Sequence, residues 1–202
     1  MEPSPHRAIR RAYTHLELVA IIAMLPVLWL LVTSVLLAHH PTPSSRYVCQ
    51  SNLKIMGLGF LQYAQDYDEH FPIAHASSTI GWADAILPYT KSTQLLQCPR
   101  TPSSSPQSTD YFYNRRLSSS NLKMVRSPAR TILAGDGDND APLWSSLARL
   151  PSRWAATYEA PSLRHLDRAN YLFVDGHVKD KPPVKIKLTL SPKSDTITFA
   201  IR

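Results

Sequence analysis

From Leu18 to Ala38 the chain reads LVAIIAMLPVLWLLVTSVLLA, without a charge and apolar around every face of a helix. At about 1.5 Å rise per residue this stretch reaches about 30 Å, the thickness of a bilayer's hydrocarbon core. It predicts a transmembrane helix. Glu17 stands at its start, where a carboxylate is tolerated only near the headgroups or beside a cation. The pattern then breaks. Residues 39–46 read HHPTPSSR, and two prolines end the helix, each lacking an amide donor and restricting the residue before it. A short linker follows. From Tyr47 to Asp68, the residues Leu53, Met56, Phe60, Ala64 and Tyr67 recur three and four apart. That spacing predicts an amphipathic helix facing a core, with Gln62, Gln65, Asp66 and Glu69 mostly off the stripe. Phe71-Pro72 ends it.

Beyond this helix the periods shorten. Residues 81–89 read as a short helix closed by Pro88, and residues 101–108 as an exposed Ser/Pro loop. Tyr111–Asn114 is a strand or turn, and Thr131–Gly135 a short apolar strand running into an acidic turn. Ala169–Val174 is an aromatic and branched strand, Asp175-Gly176 a tight turn, and His177–Lys179 the returning strand. Residues 184–190 and 195–201 alternate polar and apolar positions around Ser191-Pro192. They predict a second hairpin with Ile197, Phe199 and Ile201 on one face. The expected fold is α+β: an N-terminal transmembrane helix, then an amphipathic helix packed on a small antiparallel sheet. The expected divisions are a basic leader (1–12), a membrane helix (13–38), a linker (39–46) and a domain (47–202).

Composition and charge add orientation. The chain has 202 residues, enough for one span and one modest domain, and its 17 prolines against 6 glycines favour a loop-rich domain. Arg7, Arg10 and Arg11 precede the apolar run and place the N-terminus in the cytoplasm. The rest of the net charge of +7 is spread thinly, with no basic block, so nucleic acid is not an expected partner. The two cysteines, Cys49 and Cys98, allow one disulfide in an oxidising compartment or two free thiols.

Candidate chemistry is sparse. Asp136, Asp138 and Asp140 alternate with Gly137 and Asn139, as at the start of many calcium loops. Position twelve counted from Asp136 is Leu147, so an EF-hand is excluded. The remaining readings are another calcium site or an acidic turn. His165, Asp175 and His177 could suggest metal binding or hydrolysis. No nucleophile or metalloprotease motif accompanies them, so no enzymatic role is expected.

Four segments carry a resemblance. The stretch Arg10-Arg11-Ala12-Tyr13-Thr14-His15-Leu16-Glu17 resembles a type IV prepilin processing site. Ala12 stands where the family has glycine, His15 replaces an apolar residue, and Pro26 lies early in the helix. The segment from Cys49 to Pro72, the Trp82-x5-Pro88-Tyr89 pattern with Cys98-Pro99, and His165-x9-Asp175-Gly176 resemble bacterial pseudopilin-like proteins with a C-terminal H-x9-DG motif. The resemblance implies cleavage between Ala12 and Tyr13 with methylation of Tyr13. It also implies that Glu17 pairs with a neighbouring subunit's terminal amine. The implied fold is pilin-like, and the implied site is the bacterial inner membrane with the domain periplasmic or extracellular. The implied partners are sister pseudopilins, a prepilin peptidase and an inner-membrane assembly platform. Calcium at the aspartates would match type II secretion pseudopilins.

Overall fold

A computed structural model describes residues 14–38, 45–101, 105–155, 161–183 and 197–201. The leader with Ala12 and Tyr13, linker residues 39–44 and the first strand of the second predicted hairpin lie outside them. The chain divides into two compact units, Met1–Thr42 and Pro43–Arg202.

The first unit is helix α1, His15–Ala38. Its window His15–Thr33 has a mean hydropathy of 2.4, and none of it is buried by the protein. Leu16 is 84% exposed, and Trp29, Met24 and Leu30 are also open. A helix apolar on all faces cannot rest in water, and this one is long enough to cross a membrane. Its first turn is closed by a capping box. Thr14 N–H and Oγ1 donate to Glu17 Oε2 at 2.9 and 3.1 Å, and Glu17 N–H donates to Thr14 Oγ1 at 3.3 Å. Two amide groups that a helix start leaves unpaired are thereby satisfied.

The second unit starts with α2, Ser45–Asp66. Leu53, Met56, Phe60 and Ala64 are buried as their spacing predicts, joined by Cys49, Gly57 and Gly59. Tyr67 lies past the helix end and is exposed. The first turn of α2 carries no acid and its last turn no base, so packing rather than end charge holds it. Each large side chain it buries contributes about 1.5–3 kcal/mol. Helix α3, Trp82–Thr90, runs on through Pro88 and stops at Lys91, which adopts a left-handed conformation.

The sheet contains β1 (Ser108–Asn114), β2 (Ile132–Pro142), β3 (Ser146–Leu147), β4 (Ala169–Phe173) and β5 (Val178–Lys181). Their order is β3-β1-β2-β4-β5. Three pairings are antiparallel, but β3 runs parallel to β1. The sheet is therefore mixed, which corrects the antiparallel expectation. The cause is the turn in which Ser145 N–H donates to Pro142 O at 2.8 Å. It reverses the chain after β2, and a reversal of β2 has the direction of β1. A second correction concerns the aspartates. The predicted acidic turn is strand: β2 continues through Asp136, Asp138 and Asp140 to Pro142.

Alternation along β1 makes two cores. Tyr111 and Tyr113 face the helices, where Phe60, Trp82 and Tyr113 stack with centroids 5.3–5.9 Å apart. Phe112 faces the other way, among Ile132, Trp154, Tyr171, Phe173 and Phe199. The C-terminal apolar residues split between these cores. Ile197 and Phe199 join the second, and Ile201 packs on the first.

Candidate functional site

The H-x9-DG residues do not meet. The stretch Pro161–His165 forms a 3-10 turn that delivers His165 to one end of β4, and Asp175-Gly176 makes the tight turn at the other. Five strand residues at about 3.3 Å each hold them roughly 15 Å apart. At the turn, Gly176 has φ +87°, Gly176 N–H donates to Phe173 O, and Phe173 N–H donates to His177 O. Asp175 accepts from the backbone N–H of His177 and pairs with its Nδ1, while the His177 ring stacks on Phe173 at 4.3 Å. Asp175 and Gly176 thus shape a hairpin.

His165 instead enters a buried centre assembled from five elements. Cys49 comes from α2, and Cys98 from the segment after the turn Thr93–Leu96. Asp136 comes from β2 and Asn170 from β4. Cys49 and Cys98 are paired as a disulfide, with Cα atoms 5.6 Å apart. His165 Nε2 lies 3.6 Å from Cys98 Sγ and 3.7 Å from Asp136 Oδ2. His165 is 2% exposed and Asp136 fully buried. Asp136 Oδ2 accepts from the backbone and side-chain N–H groups of Asn170 at 2.7 and 3.0 Å.

Burial governs the protonation of this pair. It pushes the Asp136 carboxyl up to about 7, against the opposing pull of Arg164 and of the two Asn170 bonds. It pushes His165 down to about 4, helped by Arg164, Arg46 and Arg100. The 3.7 Å gap is too long for a hydrogen bond, and an ion pair would bury two charges. Between about pH 4 and 7 the pair is therefore neutral, a protonated carboxyl beside an uncharged imidazole. Burial likewise raises the Tyr111 and Tyr171 hydroxyls, and the Asp136 charge adds to it. Among the described residues, Asp136 Oδ1, His165 Nδ1 and both hydroxyls lack a hydrogen-bond partner.

Asp110 on β1 braces the centre. Its Oδ2 accepts from Cys98 N–H at 2.7 Å and Thr101 Oγ1 at 3.0 Å, and its Oδ1 accepts from Asp140 N–H at 3.2 Å. Arg164, next to His165, donates to the carbonyls of Asp110 and Gly137.

The three aspartates proposed for calcium are not brought together. Asp136 bonds Asn170, Asp138 pairs with Arg153 at 3.0 Å, and Asp140 accepts from Ser108 Oγ at 3.0 Å. Among the described residues, the one cluster of three metal-ligating side chains is Cys49, Cys98 and His165. Sequence reasoning named Cys49 and Cys98 as a possible pair and His165 apart from them, but missed Asp110, Asn170 and Thr14. Thr14-x-x-Glu17 is a legible capping pattern. Asn170 was legible only as one amide inside an apolar strand.

The domain is thus an α+β unit whose helix layer, sheet and His165 turn are joined at a buried disulfide–imidazole–carboxyl centre. No family model, curated protein or solved structure matches the chain.

Proposed function

We propose that the chain is a non-enzymatic, pseudopilin-like structural subunit of a type II secretion or type IV pilus-like filament system. The observation that carries this reading is α1. It is apolar on every face, long enough to cross a membrane, and opens on Glu17 in its first turn. Such a helix satisfies itself only in lipid or among other helices of its kind. Glu17 Oε2 is engaged by Thr14, and no bond from a described residue reaches Oε1. In this reading the second oxygen takes a cation from a neighbouring subunit. The proposed orientation has the N-terminus in the cytoplasm and the domain periplasmic or extracellular. The prepilin peptidase, sister pseudopilins and the assembly platform are the proposed partners. Mass spectrometry of the membrane fraction tests the reading: a mature N-terminus at methylated Tyr13 is expected, and an intact leader would overturn it.

One observation favours a second reading, an anchored binding module that does not polymerise. An open cavity of about 610 Å³ is lined by His75, Arg115, Ser118, Trp144 and Ser145, with His75 and Trp144 stacked at 5.2 Å. An indole beside a guanidinium and two hydroxyls suits a sugar or a peptide side chain. Cross-linking separates the two: a ladder of subunits supports assembly, and monomer alone supports the module.

A further inference from the structure

We propose that Cys49, Cys98 and His165 form a binding site for a thiophilic divalent cation, zinc above all, when the disulfide is reduced. This inference does not depend on the filament reading.

The ligand atoms of the three side chains all lie within 4.8 Å of one another, and all three residues are buried. Zinc holds thiolate at about 2.3 Å and imidazole at about 2.0–2.1 Å in a tetrahedron, so a sulfur–nitrogen edge of such a site is about 3.6 Å. Cys98 Sγ and His165 Nε2 are 3.6 Å apart. Opening the disulfide needs only a small separation of the sulfurs to complete the same face. A disulfide needs no imidazole beside it. The plain alternative is a core histidine whose Nε2 hydrogen-bonds weakly to Cys98 Sγ, and metal uptake by the reduced chain decides between the two.

The surroundings suit a soft metal. Two sulfurs and one imidazole select zinc over calcium or magnesium, which prefer oxygen. Asp136 Oδ2 lies 3.7 Å from His165 Nε2 but outside the three-ligand cluster, so a water completes the fourth position, with Asp136 beside the histidine ligand. The ligands sit on anchored backbone: Cys49 within α2, and Cys98 fixed by the bond from its N–H to Asp110. On its outer side the site borders solvent-open space at Cys98. An open cavity of about 480 Å³ is lined by Asn52, Gln97, Cys98 and Pro99.

The chemistry balances with an external dithiol as reductant. The dithiol gives two electrons and two protons to the Cys49–Cys98 bond, which breaks into two thiols, and it leaves as a disulfide. Zinc then binds, both thiol protons pass to solvent, and two Zn–S bonds and one Zn–N bond form. Oxidation of the two thiolates by an external disulfide, which takes the two electrons and leaves as a dithiol, ejects the metal, so disulfide and metal exclude each other.

The test uses the full chain in detergent, reduced anaerobically with a water-soluble phosphine that is then removed. Zn²⁺ is added and the bound metal counted, with Co²⁺ as the spectroscopic probe. The expected result is one Zn²⁺ per reduced chain, none per oxidised chain, and a Co²⁺ spectrum with tetrahedral ligand-field and thiolate charge-transfer bands. His165→Ala should weaken binding about tenfold or more. X-ray absorption of the zinc-loaded parent should show two sulfurs and at least one imidazole nitrogen, which decides the matter even if the variant does not fold. A reduced chain that takes no zinc, a sulfur-only shell, or a folded His165→Ala variant with parental affinity would each overturn the proposal.

Discussion

At the scale of single residues, two carboxylates hold opposite positions. Glu17 is exposed and caps a helix, so its loss has two separable parts. Thr14→Ala removes the cap alone and should cost α1 about 1 kcal/mol. Glu17→Ala removes the cap and any intersubunit pairing. Both variants should insert in the membrane, and only Glu17→Ala should lose most of its incorporation into cross-linked assemblies. Equal losses would reduce Glu17 to a cap. Asp136 is buried, and its neighbour masks its pH dependence. Between about pH 4 and 6.5 the folded chain holds a proton on Asp136 and none on His165. The unfolded chain holds one on the histidine and none on the aspartate, from ordinary values of 3.8 and 6.5. The counts match, so the pair adds no slope to stability in that window. In Asp136→Asn only the histidine remains. The unfolded state then binds the extra proton, and stability should fall as pH drops from 6.5 towards 4, by on the order of 1 kcal/mol per unit. Denaturant midpoints across that range check it; a flat profile would mean that His165 protonates freely in the fold.

Among the elements, α1 and α2 show how much a hydrophobic period reveals. Both were legible to within a few residues, because a stripe or an all-round apolar surface has one stable solution. β2 was not. Its second half reads as an acidic turn, yet it pairs with β1 as far as Ser108 opposite Pro142. Gly137 permits this. A Cβ there would lie 2.9 Å from the backbone nitrogen of Phe112 and 2.9 Å from the carbonyl carbon of Tyr111. Backbone inside a sheet cannot step aside as a side chain can. Gly137→Ala should therefore destabilise the domain by about 2 kcal/mol in urea unfolding, with the strain of overpacking as the cause. A neutral result would show that β1 and β2 tolerate a wider spacing at this bulge. The H-x9-DG hairpin was legible from β4 to the Gly176 turn, because the turn chemistry is local. The place of its histidine was not.

On the scale of the whole domain, the disulfide ties α2 to the segment that feeds β1, across a sequence separation of 49. Chain entropy for a loop of that size gives about 4 kcal/mol of stabilisation. The double variant Cys49→Ser, Cys98→Ser should lose most of that in denaturant unfolding under oxidising conditions. Parental stability in the variant would mean that the two cores alone hold the helix layer on the sheet.

The sequence by itself determined what depends on neighbours along the chain. The membrane-length helix, the buried stripe of α2, the DG turn and the residues able to cap or ligate were all written in local spacing. Tertiary structure alone decided the parallel β3, the strand character of Asp136 to Asp140, and the meeting of His165 with Cys98 and Asp136 rather than with Asp175. The reason is physical. A helix period or a turn is set by backbone sterics over a few residues. A contact between residues 98, 136 and 165 exists only once three separate elements have been packed, and no local pattern encodes which side chains will share the space between them.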